Sequence, residues 1–276
     1  MTRQQLIDQI QQKQSYLCVG LDTDPTKLPI ALRSRPDGVV AFNKAIIDAT
    51  LPYCVSYKIN TAFYEAQGVK GWEALEETVQ YIPNTHFKIA DAKRGDIGNT
   101  SAQYAKAFFE TLPFDAVTVA PYMGEDSIRP FLAYPGKFTI VLGLTSNNGA
   151  ADFEILSVSN TTSLQTPEFL YERVMRRVSE WGTPGNLMFV VGATQAKEFE
   201  NIRRIIPEHF LLVPGVGAQG GSLADISRYG MNADCGLLVN ASRAVIYASD
   251  NEDFAEQAAV VARVYQAEMQ QYLSAI

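Results

Sequence analysis

The feature that most constrains this chain is an alternation. Short runs of β-branched and apolar residues recur along its length, separated by longer stretches in which apolar residues return at three- and four-residue steps. The short runs read as strands buried on both faces and the long ones as amphipathic helices, so their order is that of repeated βα units around a parallel sheet. Strands are expected at 16–20, 56–59, 87–90, 116–119, 138–144, 187–191, 210–213 and 236–239. A segment able to supply a helix follows each one, and eight such units predict an α/β fold of the closed (β/α)8 type, the TIM barrel. The helical pattern is clearest over 71–82, 101–112, 167–181, 195–206 and 254–273, the last of which is expected to seal the outer layer.

Bulk properties narrow the possibilities further. The chain has 276 residues, 47% of them hydrophobic, which suits one large barrel or two small domains. No repeat, low-complexity block or composition shift marks a boundary, so residues 1–276 are read as a single domain. A formal net charge of -7 argues against a general nucleic-acid or membrane-surface binder, and any anionic ligand must therefore be held locally. The polar, helically patterned N-terminus and the lack of any apolar run near ~20 residues predict a soluble, non-exported protein without a membrane span. Cys18, Cys54 and Cys235 lie far apart in apolar surroundings without metal or disulfide spacing, which points to a reduced, cytoplasmic compartment. His86 and His209 are isolated in turn-like contexts and make no metal site, and Trp72 and Trp181 read as packing residues.

Barrel enzymes carry their chemistry at the C-terminal strand ends. Here the first strand is followed by Gly20-Leu21-Asp22, the second ends at Lys58, and the third runs into Asp91-Ala92-Lys93-Arg94-Gly95-Asp96. In an extended chain Asp91 and Lys93 point to the same side, with Lys58 beside Asp91 on the neighbouring strand. Alternating charges of this kind keep both lysines protonated and are expensive to desolvate. A structural ion-pair network is the plain alternative for any single pair.

Two further strand ends look like a phosphate grip. The eighth strand ends in Asn240-Ala241-Ser242-Arg243, offering backbone N–H groups and a guanidinium fork. After the seventh comes a glycine-rich loop through Gly215, Gly217, Gln219 and Gly221, able to approach a phosphate closely and to move as a lid. Such a loop alone would be weak support, and its pairing with Arg243 makes phosphate the better reading. The stretch rich in Ser, Thr and Asn between Thr145 and Pro167 exceeds an ordinary βα connection and reads as an active-site loop or insertion.

This ordered set, Asp22, Lys58, Asp91-x-Lys93-x-x-Asp96 with Ile97 and Thr100, the Gly215–Gly221 loop and Arg243, resembles the orotidine 5'-phosphate decarboxylase family over nearly the whole chain. The long fifth-strand loop resembles that family's longer bacterial branch. The resemblance implies cofactor-free, metal-free conversion of orotidine 5'-monophosphate to uridine 5'-monophosphate and carbon dioxide, the last step of de novo UMP synthesis. It implies that Lys93 is the proton donor to C6, that Asp91 faces the substrate carboxylate, and that Lys58 holds Asp91 and a ribose hydroxyl. By the same likeness Asp22 accepts from the ribose, Gln219 bridges lid, base and phosphate, and Arg243 clamps the phosphate. Asp96 and Thr100 are implied to reach the partner's site in a homodimer. Ser146 resembles the family serine that bonds the pyrimidine, although Thr145 and Asn147 flank it on a turn that can present either. Two rivals remain. One is a metal-dependent sugar-phosphate decarboxylase of the same superfamily, which usually has an acidic residue where Lys58 stands. The other is a barrel that binds a phosphoribosyl ligand without catalysis.

Overall fold

The computed structural model describes residues 1–159, 168–217 and 220–275. Its barrel strands are β1 (Leu17–Gly20), β2 (Ser56–Asn60), β3 (Phe87–Arg94), β4 (Ala116–Val119) and β5 (Phe138–Leu144), then, after a short pair β6 (Ser157–Val158) and β7 (Glu168–Phe169), β8 (Leu187–Val191), β9 (Phe210–Pro214) and β10 (Leu237–Ala241). Around the barrel the order is β1-β10-β9-β8-β5-β4-β3-β2, every pairing is parallel, and Leu17, Cys18 and Val19 close the ring against Val239, Asn240 and Ala241. The expected (β/α)8 barrel is therefore the fold. Strands β1, β4, β8 and β10 are buried at every residue, which is why they read as continuous apolar runs.

The outer helices follow their apolar stripes, with differences at the ends. The last helix, Phe254–Leu273, lies against Gly38–Thr50, and the rings of Phe42 and Phe254 stack with centroids 5.0 Å apart, sealing the outer layer. After β3 the helix begins already at Gly98 and runs to Lys106, then widens into a turn over Ala107–Thr111 in which Leu112 N–H reaches the Ala107 carbonyl. The helix expected over 167–181 is confined to Leu170–Ser179, because residues 168 and 169 are drawn into the β6–β7 pair and Glu172 caps the Phe169 N–H at 2.6 Å. The polar loop after β5 thus has structure of its own, a short helix at Ala150–Phe153 followed by β6.

At the N-terminal floor of the barrel, two cations, Arg203 and Lys13, are satisfied largely by backbone. Arg203 donates to the carbonyls of Gly230, His209 and Gly236 at 2.6, 2.6 and 2.8 Å, and Lys13 donates to those of Leu51 and Cys54 at 2.6 and 2.9 Å. Neither has a carboxylate partner among the described residues. Burial pushes the Arg203 guanidinium down to about 10 and lowers the Lys13 ammonium. No helix of the described residues is long and apolar enough to cross a membrane.

Candidate active site

At the opposite end, the strand register assembles the charged residues. Gly20 pairs with Lys58 and Asn60 with Asp91, so β1, β2 and β3 deliver their polar ends at one level. The Leu21 N–H donates to the Lys58 carbonyl at 2.8 Å, bringing Asp22 over the end of β2. The Lys58 ammonium, with a side chain 4% exposed, then lies 3.3 Å from Asp22 Oδ1 and 3.0 Å from Asp91 Oδ2, and Lys93 Nζ is 2.6 Å from Asp91 Oδ1. The predicted network of Asp22, Lys58, Asp91 and Lys93 is brought together.

Burial disfavours the charges of Asp91 and Lys58, and their partners outweigh it. Desolvation raises the Asp91 carboxyl, but the ammonium groups of Lys58 and Lys93 and their hydrogen bonds hold it well below the usual carboxylate range. Desolvation likewise lowers Lys58, while Asp22 and Asp91 raise it above the ordinary lysine value. The result is a fixed, largely buried carboxylate flanked by one buried and one half-exposed cation.

How Asp91 and Lys93 meet corrects the expectation of a plain extended chain. Lys93 has φ 46°, a left-handed conformation rare for a side-chain-bearing residue, and the β3–β4 register slips between Ala90 and Arg94. Arg94 serves packing instead of chemistry: it pairs with Glu65 and lies 5.5 and 5.4 Å over the rings of Tyr104 and Phe108.

A cavity of about 150 Å³ opens at this level, lined by Asp22, Lys58, Asn60 and Asp91 on one side and by Pro214, Gly215, Val216, Asn240, Ser242 and Arg243 on the other. The residues after β9 and β10 that the sequence predicts as a phosphate grip thus share a space with the charged network. Asn240 Nδ2 donates to Ser242 Oγ at 3.1 Å, and its buried Oδ1 has no hydrogen-bond partner among the described residues. Gly20 is required here, since a Cβ would stand 1.9 Å from Ser242 Oγ. Gly217 has φ +75°, and a Cβ on it would meet the Tyr265 hydroxyl at 2.7 Å. Gln219 lies outside the described residues.

In the loop after β5, Thr145 is tied inward. Its N–H and hydroxyl both donate to Glu154 at 2.7 Å, and Gln195 Nε2 donates to its carbonyl at 3.1 Å. Ser146 packs against Gly192, where a Cβ would stand 2.7 Å from the Ser146 Cβ. The Gln195 contact accounts for another difference: the expected helix over 195–206 begins as a 3-10 turn, Ala193–Glu198, kinked at Gln195. Asp96 and Thr100 are not in the network. Asp96 accepts the Ile97 N–H at 2.8 Å and makes no ion pair among the described residues, while Thr100 is exposed on the following helix.

Sequence reading missed Asn60, Glu154 and Gln195, and also Thr118, whose hydroxyl accepts the Lys93 N–H at 2.9 Å. Asn60 had a signal, since it stands two residues after Lys58 on the same strand face. Thr118 had none, because threonine in an apolar strand is an ordinary β-former. Among the described residues no group of three or more His, Cys, Asp or Glu side chains is arranged to hold a metal ion.

Residues 15–258 match the family model described as orotidine 5'-phosphate decarboxylase / HUMPS family. The chain is 57% identical over 276 residues to an orotidine 5'-phosphate decarboxylase of Phocaeicola vulgatus, covering 99% of each chain, and 55% identical over 279 residues to one of Bacteroides fragilis, covering 100% of each. Among solved structures it is similar to the OMP decarboxylase of Leishmania donovani, at TM-score 0.80 and 35% identity, covering 97% of this chain and 99% of that one.

Proposed function

The chain belongs to the orotidine 5'-phosphate decarboxylase / HUMPS family, and from that membership we propose how its residues divide the work. It is an enzyme that decarboxylates orotidine 5'-monophosphate to uridine 5'-monophosphate and carbon dioxide. As Lys58 occupies the end of β2, where a divalent cation would be repelled, the sugar-phosphate alternative is not favoured and the reaction is read as metal- and cofactor-free.

The observation that carries the assignment is the alternating row Lys58, Asp91, Lys93. When the bond from C6 to the carboxylate breaks, its electron pair stays on C6. The Lys93 ammonium stabilises that charge and then transfers a proton to C6, leaving neutral carbon dioxide and UMP. Asp91, held ionised by its two cations, stands against the substrate carboxylate, a repulsion that fades as carbon dioxide leaves. Lys58 keeps Asp91 in place and, with Asp22, takes the ribose hydroxyls.

Binding falls to the other half of the cavity. Arg243 and Gly217 receive the phosphate, Asn240 offers its unpartnered amide oxygen to a donor on the ligand, and Gln219 spans base and phosphate. With Thr145 engaged by Glu154 and Gln195, Ser146 is the residue proposed for the pyrimidine. Energy gained at the phosphate can then orient the ring.

Asp96 and Thr100 are assigned to the partner's site in a homodimer. Their absence from this chain's own network supports this, as does their position beside Ile97, which is 54% exposed. The whole chain is taken as one decarboxylase domain, and its three free, buried cysteines suit a cytoplasmic setting.

Incubation with orotidine 5'-monophosphate while following the loss of its ultraviolet absorbance tests the reading. Turnover that persists in chelator is expected. No turnover by protein that binds UMP overturns the enzyme assignment, and strict magnesium dependence overturns the metal-free one. For the dimer, mixing inactive Lys93→Ala and Asp96→Asn protein should regenerate activity, because each mixed dimer then holds one intact site.

A further inference from the structure

Thr118 has no part in the reaction as assigned, yet its hydroxyl joins the two residues closest to the chemistry. Ala90 on β3 pairs with Val117 and Arg94 pairs with Val119, so residues 91–93 stand opposite Thr118 alone. The surplus chain is absorbed where Lys93 turns left-handed at φ 46°, a conformation unfavourable for a residue with a side chain. That turn also takes the Lys93 N–H out of the regular ladder.

Thr118 Oγ1 receives the displaced N–H at 2.9 Å and donates its own proton to Asp91 Oδ1 at 3.1 Å. The same Oδ1 accepts from Lys93 Nζ at 2.6 Å. One hydroxyl thus uses both its acceptor and its donor capacity to fix the backbone of one residue and the carboxylate of the other. Thr118 is 1% exposed, which leaves little room for water to take over either bond.

We infer that Thr118 is a positioning residue for decarboxylation, holding Lys93 in its left-handed turn and Asp91 in the rotation that keeps ammonium and carboxylate in register. The inference rests on the roles given above to Lys93 and Asp91. A merely structural link would set stability and leave the chemical step alone. A positioning link sets kcat, because misplacing a proton donor by a fraction of an ångström weakens charge stabilisation at C6.

Thr118→Val keeps the shape and removes donor and acceptor together. It should lower kcat about thirty-fold, the loss of a hydrogen bond to a charged group, while KM and UMP affinity stay within about threefold because the binding contacts lie on other strands. Thr118→Ser should restore kcat to within about threefold. If Thr118→Val does not bind UMP, Thr118→Ala removes the same hydroxyl without steric demand and should show the same split. Unchanged kcat on loss of the hydroxyl, an equal loss in Thr118→Ser, or a rise in KM at unchanged kcat overturns the inference. Lys93→Ala measured alongside separates the two claims: if it is active, the role of Lys93 fails, whereas if it is inactive beside a fully active Thr118→Val, only the role of Thr118 fails.

Discussion

Both ends of this barrel hold cations away from water, and Arg203 and Lys13 at the floor are satisfied by other means than Lys58 at the mouth. At the floor, Arg203 and Lys13 donate to neutral backbone carbonyls, and burial lowers both below their ordinary values. At the mouth, Lys58 is enclosed by Asp22 and Asp91, which raise it, while Asp91 is held down in return. Carbonyl partners tie loops to the strand entrances without creating a field that a ligand could use. Carboxylate partners cost more to bury, and they leave oriented full charges at the edge of an open cavity. On the proposed assignment, the difference separates stabilising machinery from reactive machinery within one fold.

The contrast is sharpest if charge removed at the mouth harms turnover and charge removed at the floor harms folding. The largest effect is expected for Lys93→Ala, with kcat lower by about 10⁴-fold or more and UMP binding still measurable by titration. Retained turnover would break the comparison at its centre. Next comes Arg243→Ala, expected to weaken UMP by roughly 10²-fold while leaving uridine, which lacks the phosphate, nearly unaffected. Equal losses for the two ligands would remove Arg243 from the phosphate site.

The floor should answer differently. Arg203→Met removes the donor to the Gly230 and His209 carbonyls and is expected to cost about 2–4 kcal/mol in denaturant unfolding, with kcat of the folded protein unchanged. A drop in kcat at full stability would contradict the division. The smallest effect concerns the floor histidines, both pushed down to about 4 chiefly by burial. His86 receives the Lys13 ammonium, and neither ring nitrogen of His209 has a hydrogen-bond partner among the described residues. Because the unfolded chain binds protons near pH 6.5 and the folded one only near 4, stability should fall as pH drops through this window and level off below it. Between pH 7 and 5.5 the loss is about 1 kcal/mol per histidine. Thermal unfolding across that range checks it, and a flat profile would mean that the rings are protonated in the fold.

Local pattern alone located the barrel strands, because burial on both faces writes a continuous apolar run into a few consecutive residues. It also located Asp22, Lys58, Asp91, Lys93, Asn240 and Arg243, since polar residues ending apolar runs stand out in one dimension. Helix ends were less legible. The start at Leu170 depends on Glu172 as a cap and on a strand pair that the loop forms with itself.

Tertiary structure decided what depends on residues far apart in the chain. The closure of β1 on β10 is one such feature, and the cavity shared by the Lys58 network and Arg243 is another. The tie of Thr145 to Glu154 and Gln195 and the left-handed turn at Lys93 are two more. Thr118 shows the reason most clearly, since it bonds Asp91 from 27 residues away and only strand register brings the two together. A sequence states its short-range periodicity directly, whereas contacts across the barrel arise from the packing of all eight units at once.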